Sequence, residues 1–246
     1  MRELKIRNFR DVSGYQNQDG QVMKKNKIFR GASLDQITFD DALYMEKELG
    51  IHYILDYRDE KESLMSQDIV FPNAIYERIA ALQVKEATDE GFDFGSMLQG
   101  EMTLEKLKFL LSYVSEGYKT MAFDNPAYHK LFELLLRNDG HVYFHCTAGK
   151  DRTGITAALL LDLMGCHEYD IVKDYSESYE NNIEINEELA KMMENEEAKQ
   201  YLKSSPRYMM ELLDYLREHY GSSKEYLLQI GLKNEEIEQL IENFTI

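Results

Sequence analysis

The stretch that most restricts the fold is a short apolar run, His141-Val142-Tyr143-Phe144-His145, joined by a polar loop to the almost wholly apolar residues 153–164. The first run follows an Asn138-Asp139-Gly140 turn and reads as a buried strand. The second, apolar on every side, reads as a central buried helix. Upstream, Lys27-Ile28-Phe29-Arg30 and His52-Tyr53-Ile54-Leu55-Asp56 read as strands, with residues 74–79 a weaker one. Between the first two, residues 38–49 form a helix with Thr38 as N-cap and Gly50 at its end. Strand–helix–strand order predicts an α/β fold: a short, mainly parallel sheet flanked by helices.

Helical spacing of apolar residues extends over 103–118 and 126–137, where Pro126 suits a first turn. Beyond Cys166 the chain reads as further helices over about 169–181, 184–201, 206–219, 224–230 and 234–243. No repeat, linker or composition break divides it, so residues 1–246 are expected to form a single domain. With 43% hydrophobic residues, a chain this long can build a core without metal or disulfide. Residues 82–102 hold three glycines and several acids and fit no element; the wider region 82–125 is a candidate lid.

The balance of 28 basic against 45 acidic residues leaves a net charge of −17. That excludes general nucleic-acid binding and broad attraction to anionic lipid. An anionic ligand must be gripped by a local positive site. Two cysteines, Cys146 and Cys166, make no disulfide framework. The charged N-terminus lacks a signal-peptide core, and no apolar stretch is long enough for stable membrane insertion, so the cytoplasm is the expected compartment, with export by another route left open.

The chemistry is concentrated in His145-Cys146-Thr147-Ala148-Gly149-Lys150-Asp151-Arg152-Thr153-Gly154, a Cys-x5-Arg-Thr pattern between strand and helix. A loop wrapped over a helix N-terminus turns successive backbone N–H groups inward and makes a cradle for a tetrahedral anion, here Thr147 through Arg152. The same field lowers the pKa of Cys146 and favours its thiolate. Arg152 closes the ring with a planar fork for two phosphate oxygens. The thiolate can then attack phosphorus in line, and Thr153 can stabilise it as it departs. A nucleotide-binding Gly-x4-Gly-Lys-Ser/Thr loop fails twice, at Phe144 and at Asp151, and no Cys-x-x-Cys pair is present.

This loop resembles that of the cysteine-dependent tyrosine phosphatase superfamily, and more closely the bacterial tyrosine phosphatases with His-Cys-x-x-Gly-Lys-Asp-Arg-Thr. Asn8-Phe9-Arg10-Asp11-Val12-Ser13-Gly14-Tyr15, Ile28-Phe29-Arg30-Gly31-Ala32-Ser33 and Leu55-Asp56-Tyr57-Arg58-Asp59-Glu60 resemble the N-terminal patterns of that family. Asp174-Tyr175-Ser176-Glu177-Ser178 and the stretch from Tyr220-Gly221 to Gly231-Leu232 resemble its C-terminal ones. The resemblance implies a two-step reaction without cofactor or metal: Cys146 forms a phosphocysteine, water hydrolyses it, and inorganic phosphate leaves. It also implies phosphotyrosyl proteins as the first substrate class, with phosphoserine, phosphothreonine or phosphoinositide head groups as additions.

The proton for the leaving oxygen has three candidate donors. This chain has no Trp and so no Trp-Pro-Asp loop. Asp151, within the cradle, and Asp56, at a strand end on the same sheet edge, lead; Asp124 reads better as a helix N-cap. The choice stays open at this level. Lys150 matches a lysine found in phosphoinositide phosphatases, and Arg30 and Arg58 end strands from which they could either add charge to the pocket or form salt bridges to the many acids. His145 reads as a brace for the loop and Cys166 as a buried thiol. A phosphate-binding module without turnover is the alternative, and the intact Cys146, Arg152 and Thr153 speak against it.

Overall fold

The structure is a computed structural model, and it describes residues 2, 4–81, 117–119, 121–123, 125–192 and 205–246. Five strands form one sheet: β1 (Arg10–Asp11), β2 (Ile28–Gly31), β3 (Ile51–Asp56), β4 (Ile75–Arg78) and β5 (His141–His145), in the order β1-β2-β5-β3-β4. β1 runs antiparallel to β2; the pairings β2–β5, β5–β3 and β3–β4 are parallel. The expected α/β architecture is present, with β1 as an added antiparallel edge that the sequence reading passed over.

Alternation along the strands assigns the two faces. Val142 and Phe144 of β5 join Tyr53 and Leu55 of β3 in the larger core, while Tyr143 joins Phe29, Ile51 and Ile54 in the smaller one. The smaller core is covered by α1 (Phe39–Lys47), through Ala42 and Met45. Thr38 caps α1 with a full capping box to Asp41, as its sequence predicts. On the larger core lie α3 (Pro126–Arg137), α4 (Asp151–Leu163), α7 (Pro206–Tyr220), α8 (Ser223–Gln229) and α9 (Asn234–Phe244). α5 (Glu168–Glu177) packs on α4 through Ile171 and Tyr175, and α6 (Ile183–Met192) follows a single 3₁₀ turn, Glu180–Asn182.

α4 is the central helix, and every residue from Arg152 to Leu161 is buried. Truncating Leu159 or Leu160 to Ala there would cost about 2–5 kcal/mol. α2 (Glu60–Met65) was not anticipated, although Asp59 and Glu62 stand at capping-box spacing and form that box. Among the described residues no helix is long and apolar enough to cross a membrane. The expected helix over 103–118 and the candidate lid lie almost wholly outside the described residues, as does Asp124.

Candidate active site

Parallel pairing puts the C-terminal ends of β2, β3 and β5 side by side, and the loop from Cys146 to Lys150 leaves β5 there to enter α4. Lys150 is the N-cap of α4, and its side chain makes no cap hydrogen bond to the N–H groups of the first turn.

The loop is held from outside by its carbonyls. Thr147 O accepts from Ser33 N at 3.3 Å. Ala148 O accepts from Asn8 Nδ2 and Asn182 Nδ2, each at 3.1 Å. Gly149 O accepts from Asn8 Nδ2 at 2.7 Å and from Arg30 Nη2 at 2.8 Å. In a trans peptide the N–H points opposite to its C=O, so three outward carbonyls turn the N–H groups of Ala148, Gly149 and Lys150 inward. Gly149 has φ of 63°, and a Cβ there would fall 2.2 Å from Gly31 O, so only glycine lets the loop lie this close to β2. Ser33, Asn8 and Asn182 are supports of the loop that its own sequence could not reveal, because they come from distant segments.

Cys146 is buried at the floor of this loop. Burial works against a thiolate, but the charge of Arg152 and the hydroxyl and backbone N–H of Thr153 outweigh it, and the thiol sits below its ordinary range. Among the described residues the Thr153 hydroxyl has no other partner. Arg152 is fixed by Glu62 of α2 through two hydrogen bonds, Nη1 to Oε2 at 2.6 Å and Nη2 to Oε1 at 2.7 Å. Glu62 Oε1 also accepts from Thr147 Oγ1 at 2.9 Å. Burial raises the Glu62 carboxyl, but Arg152 overrides that and holds it at about 2. Glu62 was missed because nothing in a one-dimensional pattern links it to a residue 90 positions away.

The two leading acid candidates have opposite surroundings. Asp56 is 0% exposed, and its oxygens accept from Arg58 Nε and Nη2 at 2.9–3.1 Å and from Tyr76 Oη at 2.5 Å. Arg58 also reaches Asp68 at 2.5 Å and Ser66 O at 2.7 Å. Asp56 is therefore a member of a closed ion network under the strand ends, and it has no surface toward a leaving group. Asp151 is half-exposed at the first turn of α4, with Lys150 Nζ 3.8 Å from its Oδ1.

Of the two roles the sequence left open for Arg30 and Arg58, the structure has the salt bridges to acids and not charge in an open pocket. Both are fully buried; Arg30 pairs with Asp174, which also holds Arg10 Nε at 2.8 Å. Burial and Arg10 bring Arg30 down to about 10, while the Asp174 carboxyl, despite its own burial, is held low by the two arginines. His145 does brace the loop: Nδ1 lies 3.2 Å from Cys146 O and Nε2 3.3 Å from Asp68 Oδ2. Burial disfavours its charge, yet Asp68 and Asp56 raise its pKa. Asp56, Asp68 and His145 could in principle ligate a metal, but the Arg58 guanidinium already bridges the two carboxylates. Cys166 is a buried free thiol 3.8 Å from Met23 Sδ, pushed up to about 12 by burial.

A family model described as "Tyrosine phosphatase family" matches residues 3–246. A tyrosine-protein phosphatase of Nostoc commune is 30% identical over 228 residues, 86% of this chain and 71% of that protein. The triple specificity protein phosphatase PtpB of Mycobacterium tuberculosis is 26% identical over 206 residues, 76% of this chain and 72% of that protein. Among solved structures, the core catalytic domain of the PP-IP phosphatase SIW14 from S. cerevisiae aligns over 70% of this chain and 75% of that one, with 14% identity and a TM-score of 0.36, too loose a likeness to reason from.

Proposed function

The chain belongs to the tyrosine phosphatase family, and from that premise we propose that it hydrolyses phosphate monoesters through a phosphocysteine on Cys146, as one domain acting in the cytoplasm. The observation that carries this reading is the loop itself: three carbonyls are tied outward, leaving inward N–H groups around a thiol whose pKa is lowered.

In the first step the Cys146 thiolate attacks phosphorus, forming the S–P bond as the P–O bond to the leaving group breaks. Arg152 and the amides of the loop bind the equatorial oxygens, where charge is redistributed in the transition state. Asp151 gives its proton to the leaving oxygen and becomes a carboxylate. In the second step that carboxylate takes a proton from water as the water attacks phosphorus. The S–P bond breaks, the Thr153 hydroxyl receives the departing thiolate, and inorganic phosphate is released. Glu62 holds the Arg152 fork flat at the cradle's edge.

Protein phosphotyrosine is the proposed first substrate. Lys150, beside the cradle and only 3.8 Å from a carboxylate, supplies extra positive charge that favours additional phosphorylated substrates, phosphoserine, phosphothreonine and phosphoinositide head groups among them. The test is phosphate release from a phosphotyrosyl peptide, a phosphoseryl peptide and a mono- and a di-phosphorylated phosphoinositide, each compared with Cys146→Ser. Release that persists in Cys146→Ser overturns the mechanism. Rapid acid quench with radiolabelled substrate should trap label on the wild-type protein and none on the variant.

A further inference from the structure

Asp151 is surrounded by more than its loop neighbours. Among the described residues its charged and titratable company comprises Lys150, the Cys146 thiol and Arg152 across the cradle, and three tyrosines, Tyr118, Tyr175 and Tyr208. The Tyr118 hydroxyl donates to Asp151 Oδ1, and the hydroxyl oxygens of Tyr118 and Tyr175 are 2.6 Å apart. Since the one hydroxyl hydrogen of Tyr118 is engaged in the bond to Asp151 Oδ1, Tyr175 donates to Tyr118. The hydrogen bonds therefore run one way, from Tyr175 to Tyr118 to Asp151.

The pair is rigid. Both tyrosines are buried, 3% and 1% exposed, and burial together with the nearby carboxylate pushes both phenols well above their ordinary range, so they remain donors. The Tyr118 ring stacks on Tyr208 at 5.6 Å and meets Tyr175 edge-on at 6.0 Å. Tyr175 lies against Gly154 of α4, where a Cβ would come within 2.9 Å of its ring. The glycine that follows Thr153 thus admits the ring that anchors the hydroxyl pair.

We propose that Tyr118 is a positioning residue for proton transfer to the leaving group, with Tyr175 fixing Tyr118; this rests on the reading of Asp151 as the acid. Tyr118 occupies Oδ1 and leaves Oδ2 to carry the proton. As that proton moves to the leaving oxygen, negative charge develops on the carboxyl. The Tyr118 hydrogen bond then becomes charge-assisted and strengthens along the reaction, so it stabilises the transition state more than the ground state.

The test measures kcat and KM on phenyl phosphate, a poor leaving group, and on 4-nitrophenyl phosphate, a good one, for wild type, Tyr118→Phe, Tyr175→Phe, the double Phe variant and Asp151→Asn. Tyr118→Phe should lower kcat on phenyl phosphate about tenfold with KM unchanged, and lower it much less on 4-nitrophenyl phosphate. The double variant removes both hydroxyls and leaves neither orphaned, so it should melt like wild type and show the same selectivity. Tyr175→Phe should fall between. If Asp151→Asn is selective for the poor leaving group and the Tyr118→Phe and double variants lose equally on both substrates, the positioning role is wrong and the acid reading stands. If Asp151→Asn itself loses equally on both, the acid reading falls and the positioning role with it.

Discussion

Two Asp–Arg groups stand at the same sheet edge and do different work. Under the strand ends, Asp56, Arg58 and His145 are fully buried, and they pair with one another and with the nearly inaccessible side chain of Asp68. Above them, Asp151 is half-exposed, and Arg152 is held by Glu62 at the opening of the cradle. The side chains are alike; their access to solvent and their spare hydrogen-bonding capacity are not. A carboxylate saturated by a guanidinium and a phenol contributes structure, whereas one with an oxygen unpartnered among the described residues, beside an anion cradle, can exchange a proton. On the proposed mechanism, chemistry belongs to the unsaturated group, while the saturated one packs beneath the strand ends.

The comparison breaks most visibly through stability. Asp56→Asn leaves Arg58 in a low-dielectric site short of one negative partner, and should cost about 3–5 kcal/mol in denaturant unfolding. Asp151→Asn, in the half-exposed group, should unfold within about 0.5 kcal/mol of wild type. Matching losses in the two variants would erase the distinction.

Activity should divide the other way. Arg152→Lys keeps the charge but loses the planar fork, and is expected to reduce kcat by about 10²–10³-fold, nearly as much as Arg152→Ala. Near-normal turnover in the lysine variant would mean that charge alone suffices.

Glu62→Gln tests the link between fork and fold. An amide can accept from Arg152 at one atom only, so at a temperature where both proteins stay folded kcat/KM should fall about tenfold, beyond the share that the lowered stability explains. A fall confined to stability would reduce Glu62 to a structural brace.

The smallest effect is in pH. The folded carboxyl of Glu62, held at about 2, lies below its ordinary value of 4.5 in an unfolded chain. Its contribution to stability is therefore complete above about pH 4.5. It should be lost as pH falls from there through about 2. Acid titration of unfolding free energy in wild type and Glu62→Gln should diverge above that window and converge below it.

Much of this could be read from the chain alone. Strand, loop and helix around Cys146 were legible because a buried strand and a buried helix impose local apolar patterns, and the Cys-x5-Arg-Thr spacing is itself local geometry. Thr38 as a cap and Pro126 at a helix start were legible for the same reason. The brevity of α2 and β1 hid both, since neither is long enough to show a period. What only the tertiary structure decided was the partner of each polar group. Glu62 with Arg152, Asn8 and Asn182 with the loop carbonyls, Tyr118 with Asp151, and the enclosure of Asp56 and Arg30 all join residues far apart in sequence. Hydrogen bonds and ion pairs depend on ångström distances and on burial, which arise only when separate segments pack together, so the sequence could name the chemical groups of the site but not their saturation.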